Sequence, residues 1–482
     1  MSILTSLARL RALKEGVAQP IATVRHCHLS ARPMVFIPLK LSGEAAAPLA
    51  AMLGTDPAAP RLLVVPQPRN RDLRFAFAAE LAGVLLPYVE GFLERTETVE
   101  KKNADPYERV LDAPQLLVPN RAGVAFTGLL GRSTRFRRSE GPYPVPAEVP
   151  LLGRWLTYFG ERAAYPGSSL MMAASEELAR HWASGQSGLE DANLAALLGW
   201  IAPPEGRTGA QAAEDAEDPL LWPPAGPVTD PGFDAEVLAP AIEEGSTERI
   251  TEALRTQLEP TWRLMWQAVG LLGALPEGPS ATARWEFDRG SFSAMAQQIA
   301  EGSPPQARRD GAVGAASRLA RMERAQAAYD VQRAYDDPLV MAEYRLSGEA
   351  FAGEVVETDP DNVEGEGRSR KLRPLVHIKT DDPVRLPPGT ALGTPGRRSQ
   401  GAQLVSAGDG LVILKITKGM GRGRTPAPGT VPEPGERVCY TSLTDDFQGS
   451  PTLPERERTP WTHGGPPQDY VPNDDDAREE WE

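Results

Sequence analysis

Residues 403–418 read QLVSAGDGLVILKITK, and this stretch decides the fold of the C-terminal part of the chain. Two apolar runs of strand length, beginning at Gln403 and Leu411, stand on either side of Ala407-Gly-Asp-Gly. Asp and Gly accept the backbone conformations that a tight hairpin turn needs. The stretch therefore predicts two neighbouring antiparallel strands joined by a short turn.

Further strand candidates surround this hairpin. They begin at Phe351, Leu375 and Arg437. Segments rich in Asp, Asn, Pro and Gly, which form turns readily, separate the candidates. Five or six short strands within roughly 95 residues are typical of a small antiparallel barrel. We therefore predict an SH3-like or OB-like β-barrel over residues 349–445, within a multidomain α+β chain.

The directions of the side chains can be predicted for the strand that begins at Leu375. Successive residues of a strand point to opposite faces of the sheet. Val376 and Ile378 are apolar, whereas His377 and Lys379 alternate with them. We expect the first pair to face the barrel interior and the second pair to face solvent.

Residues 1–150 have the pattern of an α/β domain. Short apolar runs of strand length begin at Val35, Arg61 and Gln115, and each ends at residues that break strands. Pro38 lies inside the first run. Because proline cannot donate to the hydrogen-bond ladder, we expect this run to form an edge strand or a bulge.

The remainder of the chain divides by composition into four further segments. Residues 151–205 are predicted to be helical, and residues 206–235 are rich in acidic residues, Pro and Gly, as in a linker or a long loop. Residues 236–348 carry apolar stripes at helical spacing and predict a helical domain. Residues 446–482 are acidic and rich in Pro, which predicts a disordered tail.

The amino-acid composition and the net charge indicate the class of protein. Apolar residues make up 41% of the 482 residues, but no run approaches the roughly 20 apolar residues that cross a bilayer, so we expect no membrane contact. Only two cysteines occur, as expected for a reducing cytoplasm. Arg far outnumbers Lys, and Ala, Gly and Pro are abundant, which is typical of GC-rich bacterial genomes. The net charge of −14 argues against a protein that coats nucleic acid generally.

No catalytic motif can be recognised in the sequence. The chain lacks the P-loop pattern GxxxxGK[ST], the GxSxG nucleophile motif and the CxxC pairs of structural zinc sites. His26-Cys27-His28 is the one local cluster of metal-binding residue types, and further ligands at a recognisable spacing are missing. We predict neither a metal nor a cofactor, and we regard an enzyme as the less favoured class.

One group of arginines precedes a predicted helix of about 20 residues. Arg69, Arg71 and Arg74 surround Asp72, which we predict to be the N-cap. Guanidinium groups and the first amide groups of a helix both attract anions. These residues are therefore candidates for binding a phosphate, a nucleic-acid backbone or an acidic protein surface. The alternative is a solvated Arg-rich surface or intramolecular pairs with the excess carboxylates.

A second basic group flanks the strands of the predicted barrel. Its members are Arg368, Arg370, Lys371, Arg373, Lys415, Lys418, Arg422 and Arg424. Small barrels bind single-stranded nucleic acid through basic loops combined with stacked aromatic side chains. The predicted strands contain only Phe351 and Tyr440 as aromatics. The basic loops could therefore contact either nucleic acid or a protein partner.

An apolar triplet lies in the middle of the acidic segment 206–235. It consists of Leu220, Leu221 and Trp222. Apolar residues within a solvated loop either pack back onto a core or contact a partner. The triplet is a candidate partner contact.

These features suggest three functions. The first is a non-enzymatic accessory or scaffold subunit of a bacterial multiprotein system, which binds protein partners through separate modules. The second is a nucleic-acid-associated accessory factor that helps a helicase or another ATPase, for example in phage defence or DNA processing. The third is an enzyme with an unrecognised site in the N-terminal α/β region, where ligands favour the carboxyl ends of strands.

Overall fold

The computed structural model describes residues 3–101, 104–219, 221–223, 226–365, 370–421, 423–444 and 471. The contacts divide the described chain into two compact units. One unit contains residues 3–7, 21–24 and 326–444, and the other contains residues 8–20 and 25–325. The expected disordered tail over residues 446–482 lies outside the described residues except for Val471. The finer division into six segments stays a prediction.

The first half of the chain contains both strands and helices. They are α1 (Ile3–Glu15), β1 (Gln19–Pro20), β2 (Met34–Lys40), β3 (Pro48–Gly54), β4 (Arg61–Val64), α2 (Arg71–Glu90), β5 (Thr96–Lys101), β6 (Ala104–Val110), β7 (Leu116–Val118), α3 (Arg121–Thr134), α4 (Glu148–Ala163), β8 (Met171–Ala173), α5 (Ala174–Ala179) and β9 (Trp182–Ala183). Helices then continue as α6 (Leu194–Ile201), α7 (Gly209–Glu217), α8 (Pro231–Phe233), α9 (Ala239–Glu243), α10 (Thr247–Ala274), α11 (Pro279–Ala300) and α12 (Ala312–Asp336).

A mixed five-stranded sheet forms the centre of the larger unit. Its strand order is β4-β3-β2-β7-β8, with β2, β7 and β8 parallel and β2, β3 and β4 antiparallel. Side chains of β2 alternate between two cores, since Phe36 packs with α2, α4 and α11 while Ile37 packs with α5, α6 and α10. Because helices cover both faces, the strands are apolar throughout their length.

The strand that contains Pro38 is not an edge strand, because β2 lies in the middle of the sheet. The other predicted alternative, a bulge, agrees with a shift in the pairing of β2 with β3 between Leu39 and Lys40. Pro38 pairs with Ala51 of β3 on one side. On the other side, β7 pairs only with Met34 and Val35. The short neighbour therefore ends before it reaches Pro38, and the missing N–H group interrupts no ladder there.

The N-cap of α2 differs from the predicted one. Asn70 is the N-cap, and its side chain accepts hydrogen bonds from the amides of Asp72 and Leu73. Asn and Asp are equally good N-caps, so composition alone could not distinguish Asn70 from a residue two positions later. Asn120 caps α3 in the same way after β7.

Part of the predicted linker 206–235 is helical. Thr208 and Gln211 form a reciprocal capping box at the start of α7. Ala213 and Ala216 of this helix are buried in a small core that also contains Trp200, and Ala212 is buried as well. The composition indicated a loop because small alanines carry little apolar signal, although they allow a helix to pack closely.

The smaller unit contains the predicted barrel. Its elements are α13 (Pro338–Ser347), β10 (Ala350–Asp359), β11 (Val363–Glu364), β12 (Lys371–Leu372), β13 (Leu375–Lys379), β14 (Ala391–Gly393), β15 (Gly401–Gly408), β16 (Leu411–Lys418) and β17 (Arg437–Thr441). Six strands close in the order β10-β13-β16-β15-β14-β17, and every pairing is antiparallel. A closed antiparallel barrel is therefore confirmed.

The hairpin that suggested the barrel forms as expected. β15 and β16 pair up to Gly408 and Leu411, which leaves a two-residue turn. Asp409 and Gly410 both have positive φ, at 50° and 73°, as in a type I′ turn. Val376 and Ile378 are fully buried, whereas His377 and Lys379 alternate on the outer face, so the predicted directions are confirmed.

Among the described residues, no helix combines the length and the apolar character needed to cross a membrane.

Candidate functional site

A pocket of about 240 Å³ lies beside the N-terminus of α2 in the larger unit. We call it the Arg pocket, and it is lined by Pro48, Arg69, Arg71, Arg74, Phe75, Ala78, Leu130 and Thr134. The three arginines that the sequence singled out are therefore brought together at one concave site. β3 supplies one wall, α2 supplies Arg71 and Arg74, and the end of α3 supplies the other wall. Arg69 lies in the segment just before α2.

Arg71 is held in place by aromatic and polar contacts. Its guanidinium lies 4.7 Å from the ring centre of Phe75 and 5.8 Å from that of Tyr143. Nη2 donates to the carbonyl of Tyr143 at 2.9 Å, and Nη1 donates to Asp72 Oδ1 at 2.8 Å. Cation–π contacts and hydrogen bonds thus orient this positive charge before any ligand arrives.

Glu44 pairs with the other two arginines of the Arg pocket. Arg69 Nε donates to Glu44 Oε1 at 3.0 Å, and Arg74 Nη2 lies 3.5 Å from Glu44 Oε2. Arg74 Nε also donates to the carbonyl of Pro68, which fixes its position. A single carboxylate therefore bridges two guanidinium groups.

The helix amides contribute less to this site than the sequence suggested. Two of the first amides of α2 donate to the side chain of Asn70, and the amide of Arg74 donates to the Asn70 carbonyl. Guanidinium groups are thus the main donors available to an anion here.

The lining of the Arg pocket combines guanidinium groups with apolar side chains. Glu44 and Asp72 contact the lining arginines, and the hydroxyl of Thr134 donates to the carbonyl of Leu130 at 2.6 Å. The chemistry that these described residues offer is the recognition of negative charge beside an apolar wall.

The histidines near the N-terminus lie in a different part of the larger unit. His26 stacks on His181, with ring centres 5.5 Å apart, and His28 stacks on Trp285 at 4.3 Å. His28 Nδ1 lies 3.2 Å from Glu277 Oε1. Burial, together with the charge of Glu177, raises the pKa of the Cys27 thiol well above its usual value. No group of three or more His, Cys, Asp and Glu residues that could hold a metal occurs in the described ranges.

The described basic residues of the barrel differ in their contacts. Arg373 donates to the carbonyls of Leu372 and Thr417, and Lys415 Nζ donates to Glu364 at 2.7 Å. Four others are exposed, namely Arg370, Lys371, Lys418 and Arg424. The aliphatic part of Lys418 lies over Gly401. Arg368 and Arg422 lie outside the described residues.

Both aromatic residues of the predicted barrel strands point inward. Phe351 and Tyr440 are fully buried, and their rings stack at 6.2 Å. The Tyr440 hydroxyl donates to Gln400 Oε1 at 2.7 Å within the core. These two rings therefore give nucleic-acid bases no platform for stacking on the outer face.

The apolar triplet has mixed surroundings. Trp222 packs against the small core around Trp200, whereas Leu221 is 61% exposed. Leu220 lies outside the described residues. Trp222 thus packs back onto a core, and Leu221 remains available at the surface.

Sequence reasoning missed an exposed apolar surface on α1. We call it the α1 face, and it consists of Ile3, Leu7, Leu10 and Leu13. These side chains are between 51% and 64% exposed. Ala12, on another side of the helix, is fully buried. The helical spacing of the leucines was visible in the sequence, but the same spacing is typical of an exposed binding surface and of a stripe buried in a core.

Comparison with known proteins adds no functional information. No protein-family model, curated protein or solved structure gives a significant match to this chain.

Proposed function

We propose that this chain is a non-enzymatic accessory or scaffold subunit of a bacterial multiprotein system that binds protein partners through separate modules. The observation that supports this most is the α1 face. Four large aliphatic side chains lie there in water at spacings of four, three and three residues. Contiguous exposed apolar surface of this kind marks interaction sites, because burying it releases free energy.

The partner that best fits the α1 face is an amphipathic helix of another protein. The spacing places the four side chains along one stripe, which matches the anchors of helix-to-helix packing. Lys14 is exposed four residues after Leu10, at the end of the stripe, and the first turn of α1 has no acidic residue. Arg11 is also exposed, but it contacts Glu15 at 3.5 Å. Charge complementarity at Lys14 therefore favours a partner helix with an acidic residue opposite that end of the stripe.

A second module in this proposal is the closed barrel, which we take to be SH3-like or OB-like. Arg370, Lys371 and Arg424 are exposed around it and could contact an acidic partner, such as an ATPase or a helicase, in the cytoplasm. The same three charges favour the alternative function, a nucleic-acid-associated factor. Retention on single-stranded DNA at low salt that falls steeply with salt, and that is lost when these three are changed to Ala, would support that alternative.

The test of the α1 face is co-purification from the native host. The variant carries Leu7→Gln, Leu10→Gln and Leu13→Gln, since Gln keeps the helix propensity of Leu. The control is Leu319→Gln, because Leu319 is 58% exposed and belongs to a different helix, α12. A photo-crosslinking residue at position 6 identifies what touches α1.

The expected result is a stoichiometric protein that crosslinks to position 6 and is retained by wild type and by Leu319→Gln. The amount of this protein retained by the triple variant should fall at least about tenfold, because three leucines that the interface would bury are replaced. Circular dichroism must show that the triple variant stays folded. Crosslinking to lipid vesicles or to a second copy of the chain, in place of another protein, would overturn the proposal, as would equal retention by all three proteins.

A further inference from the structure

We infer that the Arg pocket is a binding site for a phosphate monoester that carries a flat apolar group, and that Glu44 occupies the position of the phosphate when the ligand is absent. This inference concerns the α2 region alone. It does not depend on the α1 face or on any protein partner.

The first step is the charge of the Arg pocket. Arg69, Arg71 and Arg74 line it. Glu44 contacts Arg69 and Arg74, and Asp72 contacts Arg71. Three guanidinium groups therefore converge on one concave site. The planar guanidinium fork matches phosphate oxygens in geometry, which favours a phosphate over other anions.

The second step is the position of Glu44. Its two oxygens contact different arginines, Arg69 at 3.0 Å and Arg74 at 3.5 Å. A carboxylate that bridges two guanidinium groups marks the place where an external anion would bind. The Glu44 side chain is 34% exposed and lies between β2 and β3, outside both strands. An incoming dianion can therefore displace it without breaking a buried core.

The third step is the apolar side of the Arg pocket. Pro48, Phe75, Ala78 and Leu130 form it, next to the arginines. The volume of about 240 Å³ lies below the range of roughly 300–1,000 Å³ that is usual for drug-sized ligands. The site therefore suits a small aromatic or aliphatic phosphate, with the phosphate at the arginines and the apolar group against Phe75 and Leu130.

The fourth step is the ionisation of the ligand. The second pKa of a phosphate monoester is about 6, so the dianion predominates at pH 7 and above. A dianion gains more from several guanidinium groups than the single charge of Glu44 does. Occupation should therefore weaken as pH falls through about 6 and as salt is raised.

Isothermal titration calorimetry of the whole protein with phenyl phosphate tests this inference. Inorganic phosphate, benzoate and benzyl alcohol serve as comparison ligands, because each lacks one part of the proposed ligand. Wild type should bind phenyl phosphate roughly tenfold more tightly than inorganic phosphate, owing to the buried ring. Benzyl alcohol should not bind.

Variants then separate the roles of the side chains. Arg69→Ala should weaken phenyl phosphate binding roughly tenfold through the loss of a charge-assisted hydrogen bond, and Glu44→Gln should strengthen it severalfold by removing the competing carboxylate. Arg61→Ala is the matched control, because Arg61 is exposed on β4 and does not line the Arg pocket. Arg69 is 76% exposed, so its replacement should leave folding intact.

Three results would overturn the inference. The first is an absence of phenyl phosphate binding to wild type at low salt. The second is an equal loss of affinity in Arg61→Ala and Arg69→Ala, which would show a general charge effect. The third is weaker binding by Glu44→Gln, which would show that Glu44 supports the ligand site and does not compete for it.

Discussion

Arg345 holds Asp382 with two parallel hydrogen bonds, from Nε to Oδ2 at 2.7 Å and from Nη2 to Oδ1 at 2.9 Å. Arg345 lies in the last turn of α13, and Asp382 follows β13 of the barrel. Asp382 Oδ2 also accepts a hydrogen bond from the amide of Ala352 at 2.7 Å. One carboxylate therefore joins the helix that precedes the barrel to two of its strand regions.

Removing this carboxylate charge should destabilise the smaller unit. We expect Asp382→Asn to lower the free energy of unfolding by about 1–3 kcal/mol, because Arg345 loses a charged, bidentate partner. Urea denaturation at pH 7 measures the change. Asp381→Asn is the control, since Asp381 is exposed, and its effect should stay within about 0.5 kcal/mol. Equal stability of the two variants would contradict a role for the Arg345–Asp382 pair.

The same pair predicts a dependence on pH. Partial burial opposes ionisation, but the hydrogen bonds from Arg345 and Ala352 outweigh it and lower the pKa of Asp382 in the folded chain. An aspartate in an unfolded chain titrates near about pH 3.9. The stabilisation by Asp382 is therefore complete above that pH and is lost as the pH falls further, through the folded pKa. The difference between wild type and Asp382→Asn should be constant from pH 5 to 8 and shrink below about pH 4.

Both thiols should react slowly in the folded chain. Burial raises the pKa of Cys439 to about 11, and it raises that of Cys27 well above its usual value. Because the thiolate is the reactive species, only about 0.1% of Cys439 would be reactive at pH 8. We expect DTNB to label neither thiol promptly at pH 8 and to label both once urea is added. The Cys439 rate should rise about tenfold per pH unit toward pH 11.

The control for this experiment is a Cys27→Ala variant. Cys439 is the one thiol left in that variant, so its labelling rate can be measured alone. Labelling of the folded chain within seconds at pH 8 would contradict the burial of the two thiols.

Local signals explain why the barrel could be predicted from the sequence. The alternation in Leu375–Lys379 and the Asp409-Gly410 turn specify which side chains face inward and where a hairpin forms, within a few residues.

The Arg pocket was predictable only in part. Arg69, Arg71 and Arg74 are neighbours in sequence, but Glu44 and Leu130 reach them through the packing of β3 and α3, which no local pattern encodes.

The α1 face was hidden for a different reason. A stripe such as Ile3, Leu7 and Leu10 indicates that one side of a helix is apolar. It does not indicate whether another element covers that side. Burial depends on neighbouring elements, and the structure leaves these residues exposed. Pro38 is a similar case. A central strand tolerates this proline because β7 is short, and the sequence around Pro38 does not show the length of β7.

Gly131 allows α3 and α4 to approach closely, and this gives the last prediction. A Cβ at this position would lie 2.5 Å from the backbone nitrogen of Thr157 and 2.9 Å from the carbonyl carbon of Leu156, both on α4. Such distances require the helices to move apart. We therefore expect Gly131→Ala to lower the free energy of unfolding by about 1–3 kcal/mol, as overpacked cores do.

The matched control for Gly131→Ala is Gly83→Ala in α2. A Cβ there would meet nothing within 4 Å. Alanine is the better helix former by roughly 0.5–1 kcal/mol, so Gly83→Ala should leave the unfolding midpoint unchanged or raise it. Because Leu130 and Thr134 of α3 line the Arg pocket, Gly131→Ala should also weaken phenyl phosphate binding, whereas Gly83→Ala should not. An equal rise of the unfolding midpoint in both alanine variants would contradict the close packing of α3 on α4 at Gly131.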